Sequence, residues 1–269
     1  MLNVLLRQAV KRVGYLDAAL IMAYVLKRDK ISIITARDNE TVTPEEAARY
    51  AELIDQRAEG KPLAYIVGTR EFMGLDFEVS EHTLIPRPET ETAAETALGL
   101  IKSAGIKTVL DLCAGSGCIA VSLAVLCRPA APEIAASDIS PKALETAEKN
   151  ARRHGAPISF IQSDMFSRID PSRYELVVAN PPYIPSGDIA ALPRSVKAYE
   201  PRAALDGGPD GLGFYRIIAE GAAHRLILEI GSNQAADVRH ILEQRRFMEI
   251  TVIKDLSGRD RVIAARKDG

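Results

Sequence analysis

Cysteine is scarce in this 269-residue chain, which has only Cys113, Cys118 and Cys127. Their number is odd and their spacings match no zinc pattern, so they read as small buried side chains. The four histidines, His82, His154, His224 and His240, are scattered. No metal site is expected, and catalysis should depend on neither a metal nor a thiol. Positive charge is not in surplus either. A formal net charge of −2 creates no overall basic field for nucleic acid or an anionic membrane, although a local basic face is compatible with that total. Long apolar runs are missing too. The longest near the N-terminus, residues 18–26, is too short to span a bilayer. No charged start, apolar run and cleavage site resembles a signal peptide. Internal repeats and low-complexity tracts are lacking. The expectation is a cytoplasmic protein.

What is present describes a soluble globular chain: 47% apolar and 26% charged residues, with length enough for two domains. The first sixty residues read as helical. Thr43-Pro44-Glu45-Glu46 is a helix start, with Thr43 capping, Pro44 at the first position and Glu46 closing a capping box. Gly60 can end that helix. Leu16, Leu20, Ala23 and Tyr24 recur at helical spacing. Residues 62–90 change character. The runs 63–68 and 75–79 look like short strands, and Ile85-Pro86-Arg87-Pro88-Glu89-Thr90-Glu91 opens a new helix. After residue 90 apolar strands are expected at 107–112, 133–138, 158–162, 174–179 and 226–230. Helices at 117–127 and 141–154 lie between the first of them, the second starting at Ser140-Pro141 and stopping at Gly155. This alternation predicts a parallel sheet with helices on both faces, an α/β class. Residues 247–254 and 261–266, joined at Ser257-Gly258, predict an antiparallel hairpin.

The chemistry gathers at strand ends. The first strand runs into Asp111-Leu112-Cys113-Ala114-Gly115-Ser116-Gly117. Its two glycines let backbone approach a ligand and open a helix whose N-terminus offers free N–H groups. Asp138 ends the second strand, where a carboxylate can accept both hydroxyls of a ribose. Gly115-x-Gly117-x-x-Ala120 also fits a dinucleotide fingerprint. Asp111, four residues before the first glycine, gives instead the D-x-x-x-G-x-G layout of S-adenosyl-L-methionine (AdoMet) enzymes, and no partner for hydride chemistry appears downstream. Asp164-Met165 follows the third strand, placed to accept from an exocyclic amine and to pack on an adenine ring; a capped loop end is the plainer reading.

Asn180-Pro181-Pro182-Tyr183-Ile184-Pro185 leaves the fourth strand through two prolines that fix φ and donate no hydrogen bond. A loop that only stops a strand would need no more. An amide nitrogen is a poor nucleophile because its lone pair is delocalised. The Asn180 side-chain oxygen and the Pro181 carbonyl are the acceptors that would hold its two N–H groups, and Tyr183 would stack on the flat amide. Alignment and fixed dipoles then supply the catalysis.

With Thr83-Leu84-Ile85-Pro86-Arg87-Pro88-Glu89-Thr90-Glu91, the loop at 111–117, Asn180-Pro181-Pro182-Tyr183-Ile184, Glu200-Pro201-Arg202 and Asp210-Gly211 in this order, the chain resembles the protein-(glutamine-N5) methyltransferases of peptide chain release factors, the PrmC/HemK family. The resemblance implies a Rossmann-like class I AdoMet-dependent methyltransferase domain at 91–269, seven-stranded with an antiparallel C-terminal hairpin. An N-terminal helical domain at 1–61 would recruit the release factor, and a β-hairpin linker would occupy 62–90. It implies methylation of the glutamine in the Gly-Gly-Gln motif of class-1 release factors, with S-adenosyl-L-homocysteine as the other product. By position, Asp111, Cys113, Ala114, Gly115, Ser116, Gly117, Asp138, Asp164, Met165 and Asn180 would bind the cofactor. Asn180, Pro181, Pro182 and Tyr183 would bind the glutamine and form the catalytic set. The expected enzyme is a monomer without a membrane or nucleic-acid partner. A ribosomal-protein glutamine methyltransferase would share the chemistry. A nucleic-acid amino-methyltransferase should carry a basic groove; a non-enzymatic binding module would not need an intact Asn180 and glycine loop. The chain departs from the family pattern at Cys113-Ala114, at Met165, and in the short connection from Gly221 through Ala223 and His224 into the fifth strand.

Overall fold

The computed structural model describes residues 2–36, 41–222 and 224–267, and the chain packs as two units. One comprises Met1–Thr69 and Pro193–Tyr199, the other Arg70–Leu192 and Glu200–Gly269. The first unit is built from α1 (Leu2–Val13), α2 (Tyr15–Leu26), α3 (Lys30–Ile34), α4 (Pro44–Ala58) and α5 (Leu63–Val67). The capping box forms as expected: Thr43 Oγ1 accepts from Glu46 N at 3.2 Å, and Glu46 Oε2 accepts from Thr43 N at 2.8 Å. From α4, the buried Tyr50 donates to the Ala18 carbonyl at 3.1 Å.

In α2 the buried face is Ala18, Ala19, Ile21, Met22 and Ala23, while Leu16 and Tyr24 are half exposed. The helix is apolar on nearly every side, so periodicity alone does not choose its inner face. The run at 63–68 is the helix α5 and not a strand. Pro62 has a φ of −56° at its start, and Gly68, at φ +78°, caps its end with N–H to the Ala64 carbonyl. Short apolar runs suit either state, and these flanking residues decide.

A two-stranded hairpin follows, β1 (Thr69–Phe72) and β2 (Leu75–Glu78). The remaining elements are α6 (Glu91–Ala104), β3 (Thr108–Leu112), α7 (Cys118–Leu126), β4 (Glu133–Asp138), α8 (Pro141–Arg153), β5 (Ile158–Gln162) and β6 (Leu176–Ala179). After them come α9 (Arg194–Lys197), which belongs to the first unit, α10 (Gly213–Gly221), β7 (Arg225–Glu229), α11 (Ala235–Gln244), β8 (Phe247–Lys254) and β9 (Asp260–Lys267). The seven-stranded sheet has the order β5-β4-β3-β6-β7-β9-β8. Its first five strands are parallel, and β9 pairs antiparallel with both β7 and β8. The class and the C-terminal hairpin agree with the sequence reading. Ala223 lies outside the described residues; α10 ends at Gly221 and β7 begins at Arg225.

Each face of this sheet carries a core. One gathers α6, α7 and the β1–β2 hairpin, the other α10 and α11. Strand order reverses between β3 and β6, which opens a crevice at the carboxyl ends of the parallel strands. The register levels those ends. Leu112 is aligned with Ser137 and with Ala179, and Ala179 with Leu228. The next residues, Cys113, Asp138, Asn180 and Glu229, therefore form one row.

Asn150 of α8, fully buried, ties the hairpin to the loop after β3. Its Oδ1 accepts from Glu78 N at 2.7 Å, and its Nδ2 donates to the carbonyls of Glu78 and Ser116 at 3.0 and 2.9 Å. Asn150→Ala would strand these backbone groups. Denaturant unfolding should show a loss of about 3 kcal/mol, against less than about 0.5 kcal/mol for an exposed control such as Lys149→Ala.

Candidate active site

The crevice holds a cavity of about 380 Å³, in the range of small-molecule sites. All of its lining residues come from the second unit. The loop after β3 forms its floor. Ala114 N donates to the Ser137 carbonyl at 2.9 Å, and Gly117 N to the Ala114 carbonyl at 2.8 Å. This tight turn requires positive φ at Cys113 (63°), Gly115 (55°) and Gly117 (75°). At Gly117 a methyl group would sit 3.0 Å from the Ala147 side chain, so helix packing adds to the backbone requirement. At Gly115 such a methyl would meet nothing within 4 Å, because that face looks into the cavity.

Asp138 reaches this loop from the end of β4. One carboxylate oxygen accepts from Gly115 N at 2.9 Å and the other from Ser140 N at 2.9 Å. Burial pushes its pKa up, and these N–H bonds oppose the shift. Each oxygen keeps lone-pair capacity for a ligand hydroxyl. After β5, Met165 is held at φ +46°. Ser163 Oγ fixes that turn, donating to the Met165 carbonyl at 2.8 Å and accepting from Arg168 N at 3.1 Å. Met165 Sδ lies 3.9 Å from Cys113 Sγ. Two non-glycine residues in the left-handed region, in contact at one cavity wall, are strain held in place by the surrounding structure. Asp164 is exposed at the same wall. Burial first, then the charges of Asp138, Asp111 and Asp164, drive the Cys113 thiol far up, so it stays protonated.

Asn180 follows β6. Its Nδ2 donates to Thr90 Oγ1 at 3.2 Å, which commits the nitrogen and leaves Oδ1 for a ligand. The proline segment beyond it is clamped. Gln234 Nε2 donates to the Tyr183 carbonyl at 3.0 Å, Ile184 N to Leu205 O at 3.0 Å, and Gly207 N to Ile184 O at 2.8 Å. Across the cavity Arg87 pairs with Glu200, whose side chain is 1% exposed, joining the 85–91 segment to the 200–206 loop.

Cys113, Ala114, Gly115 and Ser116 line the cavity, as do Asp138, Asp164, Met165, Asn180 and Pro182. Four expected site residues do not. Gly117 is packed against α8. Asp111 is buried behind the floor, where Oδ2 accepts from Ala120 N at 3.0 Å and Oδ1 has no partner; burial pushes its pKa up to about 7. Its work is to hold α7 on β3. Pro181 is buried off the wall. Tyr183 packs against the core that contains α10 and α11 instead of facing the cavity. Burial, and secondarily Glu229, raises its phenol to about 12, so it is neutral at pH 7.

Sequence reasoning missed Thr90 as a partner of Asn180, and it missed Gln234 and Glu229. A signal existed for Glu229: it is the lone charge in the apolar run 226–230, as Asp111 is in 109–112. Gln234 had none, since its target is a backbone carbonyl 51 residues away.

Comparison with known proteins shows the family. Residues 89–192 match the methyltransferase small domain and residues 5–68 the PrmC N-terminal domain. The release factor glutamine methyltransferase of Geobacter sulfurreducens is 40% identical over 93% of this chain and 89% of its own. That of Cereibacter sphaeroides is 42% identical over 93% and 90%. This chain belongs to the release factor glutamine methyltransferase family. Among solved structures, the hMettl16 catalytic domain in complex with an RNA hairpin aligns with a TM-score of 0.59, 16% identity and 92% of each chain. A T. Thermophilus 16S rRNA methyltransferase in complex with AdoMet and guanosine aligns at 0.52 and 18%, over 74% of this chain and 50% of its own. Both likenesses concern the fold alone. Among the described residues of this family member no helix is long and apolar enough to cross a membrane.

The proline segment tolerates no extra volume beside it. A Cβ at Gly207 would lie 2.8 Å from both the Pro182 carbonyl oxygen and Tyr183 Cα, all backbone that cannot step aside. Gly207→Ala should cost about 2 kcal/mol in thermal or denaturant unfolding and reduce turnover. Gly187→Ala, where nothing lies within 4 Å, should be near neutral.

Proposed function

We propose that this chain transfers a methyl group from AdoMet to the side-chain nitrogen of the glutamine in the Gly-Gly-Gln motif of class-1 peptide chain release factors. The observation that carries the reading is Asn180. Its carboxamide is anchored through nitrogen to Thr90 and presents its oxygen beside a nucleoside-sized cavity. The curated relatives, similar over nine-tenths of the chain, carry the same activity in their names.

The cavity's donor set suits AdoMet. The backbone of residues 113–117 approaches without side chains at Gly115, Asp138 keeps acceptor capacity for the ribose, and Asp164 with Met165 offers an acceptor and an apolar surface for adenine. When bound, AdoMet supplies an electrophilic methyl group on a sulfonium. The protein's own task is the amide. Asn180 Oδ1, which lines the cavity, accepts an N–H group of the amide, fixes its plane and returns electron density to nitrogen. Pro181 and Pro182 stiffen the chain beyond that acceptor by fixing φ. Tyr183, neutral and packed into the core, stiffens the segment from below and takes no proton. No strong base is required, because the amide proton is acidic once nitrogen carries the methyl group and a positive charge. The helical first unit recruits the release factor, and the reaction belongs to the cytoplasm, where translation terminates.

The test is transfer of labelled methyl from AdoMet to a purified release factor. Label should appear on the factor and vanish when Gly-Gly-Gln becomes Gly-Gly-Ala. Label on ribosomal protein or RNA instead would overturn the substrate assignment. Asn180→Ala should lower kcat by about 10²- to 10³-fold, the scale for removing one preorganised polar group, with AdoMet affinity changed far less.

A second expectation concerns Asp138→Ala. It removes the ribose acceptor and frees the Gly115 N–H. Calorimetry should show AdoMet bound about 10- to 100-fold more weakly; unchanged affinity would take Asp138 out of the site.

A further inference from the structure

Ile139 follows Asp138 at the end of β4 and is 57% exposed. Among the described residues it is the one large apolar side chain so exposed that also lines the cavity. The loop around it is pinned. The Asp138 carboxylate accepts from Ser140 N at 2.9 Å, the Asp138 carbonyl accepts from Ser163 N at 3.1 Å, and the Ser140 hydroxyl accepts from Ala143 N at 3.2 Å to start α8. Phe214 is a second apolar surface at the cavity. It is the only phenylalanine or tyrosine among the described residues that lines it, and the chain has no tryptophan. Three bonds fix the start of α10 around Phe214. Leu212 N donates to Asp210 Oδ1 at 3.0 Å, Gly213 N to the Gly207 carbonyl at 3.2 Å, and the buried Tyr215 donates its hydroxyl to the Glu229 carbonyl at 2.9 Å. Nothing in the reaction proposed above uses either side chain.

The two reach the cavity from opposite faces of the sheet. Ile139 leads into α8, whose Ala151 belongs to the core with α6 and α7. Phe214 opens α10, whose Tyr215, Ile218 and Ala219 belong to the other core. Cys113 and Met165, in contact at the cavity wall, share that second core with Phe214. The Asn180 carboxamide turns the other way, to Thr90 at the start of α6. Phe214 therefore shares the Met165 side of the cavity, away from the hydroxyl that holds Asn180. A ribose held by Asp138 carries its base one bond away, which brings the base within reach of Ile139. A planar purine offers two apolar faces, and covering both removes them from water. We infer that Ile139 and Phe214 are binding residues that cover the two faces of the adenine ring of the cofactor, with Met165 completing the side of Phe214. The inference rests on the AdoMet reading given above. It explains why one apolar side chain stays exposed beside Asp138 and why a lone aromatic ring stands in the opposite wall.

The lack of tryptophan gives a readout that needs no turnover. Phe214→Trp places a single indole in the full-length protein. Its fluorescence should be quenched by S-adenosyl-L-homocysteine, and equally by methylthioadenosine, which keeps base and ribose and lacks the amino-acid end. Methionine should leave it unchanged. Calorimetry should show both nucleosides bound about 10- to 100-fold more weakly by Phe214→Ala. Ile139→Ala should weaken both about 3- to 20-fold. Phe214→Tyr should stay within about threefold of wild type, because the ring is kept. Ile139 is exposed, so its variant should unfold at the wild-type temperature and test the slot without disturbing a core. Wild-type nucleoside affinity in either alanine variant, or an indole that no nucleoside quenches, would overturn the inference. So would a Phe214→Ala enzyme whose only defect is a raised KM for the release factor, since the ring would then face the protein substrate. A wild-type protein that binds neither nucleoside would overturn the cofactor reading itself.

Discussion

A parallel sheet buried on both faces brings all its strand ends to one edge, and every polar side chain there must find a partner or face a ligand. The rest of this site depends on that constraint. Register places Cys113, Asp138, Asn180 and Glu229 in one row across four strands. Asp138 finds backbone N–H groups of the neighbouring loop. Asn180 finds a hydroxyl supplied by the 88–90 turn. What is left over is acceptor capacity: on both oxygens of Asp138 and on Oδ1 of Asn180. Left-over acceptors at the mouth of a crevice are what a ribose and a primary amide need.

Stiffness comes from crowding more than from any single bond. The segment after Asn180 has two prolines, but their φ values alone would leave it free to swing as a body. Its carbonyl at Tyr183 is taken by Gln234, Ile184 bridges to residues 205–207, and Gly207 and Gly211 leave no room between the two loops. The floor is stiffened differently. Cys113 and Met165 both occupy left-handed backbone, and the tight turn around Ala114, the Ser163 hydroxyl and the pinning of Ser116 by Asn150 hold that strain. Both walls are therefore set before any ligand arrives, as preorganised electrostatic catalysis demands.

Much of this was legible in the sequence, for physical reasons that also explain the failures. Strand and helix alternation after residue 90 is a long-range pattern with strong punctuation, so 133–138 and 158–162 were read to the residue. Thr43 was legible because a capping box is local chemistry. The 63–68 run was misread because five apolar residues fit a strand or a helical turn, and the flanking Pro62 and Gly68 decide. Among the residues that line the cavity, those of the glycine loop and of the strand ends were expected from the sequence. Thr90 and Gln234 were not, since their partners are 90 and 51 residues away and no spacing rule connects them. Asp111 and Tyr183 show the reverse error: a motif position was taken for a contact. One supports the glycine loop from behind and the other supports the proline segment from below.

The arrangement of acceptors also separates chemistry from selection. On the proposed function Asn180 Oδ1 would accept from a planar NH₂ group, and an exocyclic base amine presents the same donors as a glutamine side chain. On that reading the proline segment would select the functional group, and discrimination between partners would come from surface beyond it. An overall charge of −2 gives no long-range pull on a polyanion. The helical first unit, matching the PrmC N-terminal domain over residues 5–68, carries a side-chain surface of its own. On the proposed function the Asn180 carboxamide would serve the chemistry, and surface outside the proline segment would select the partner.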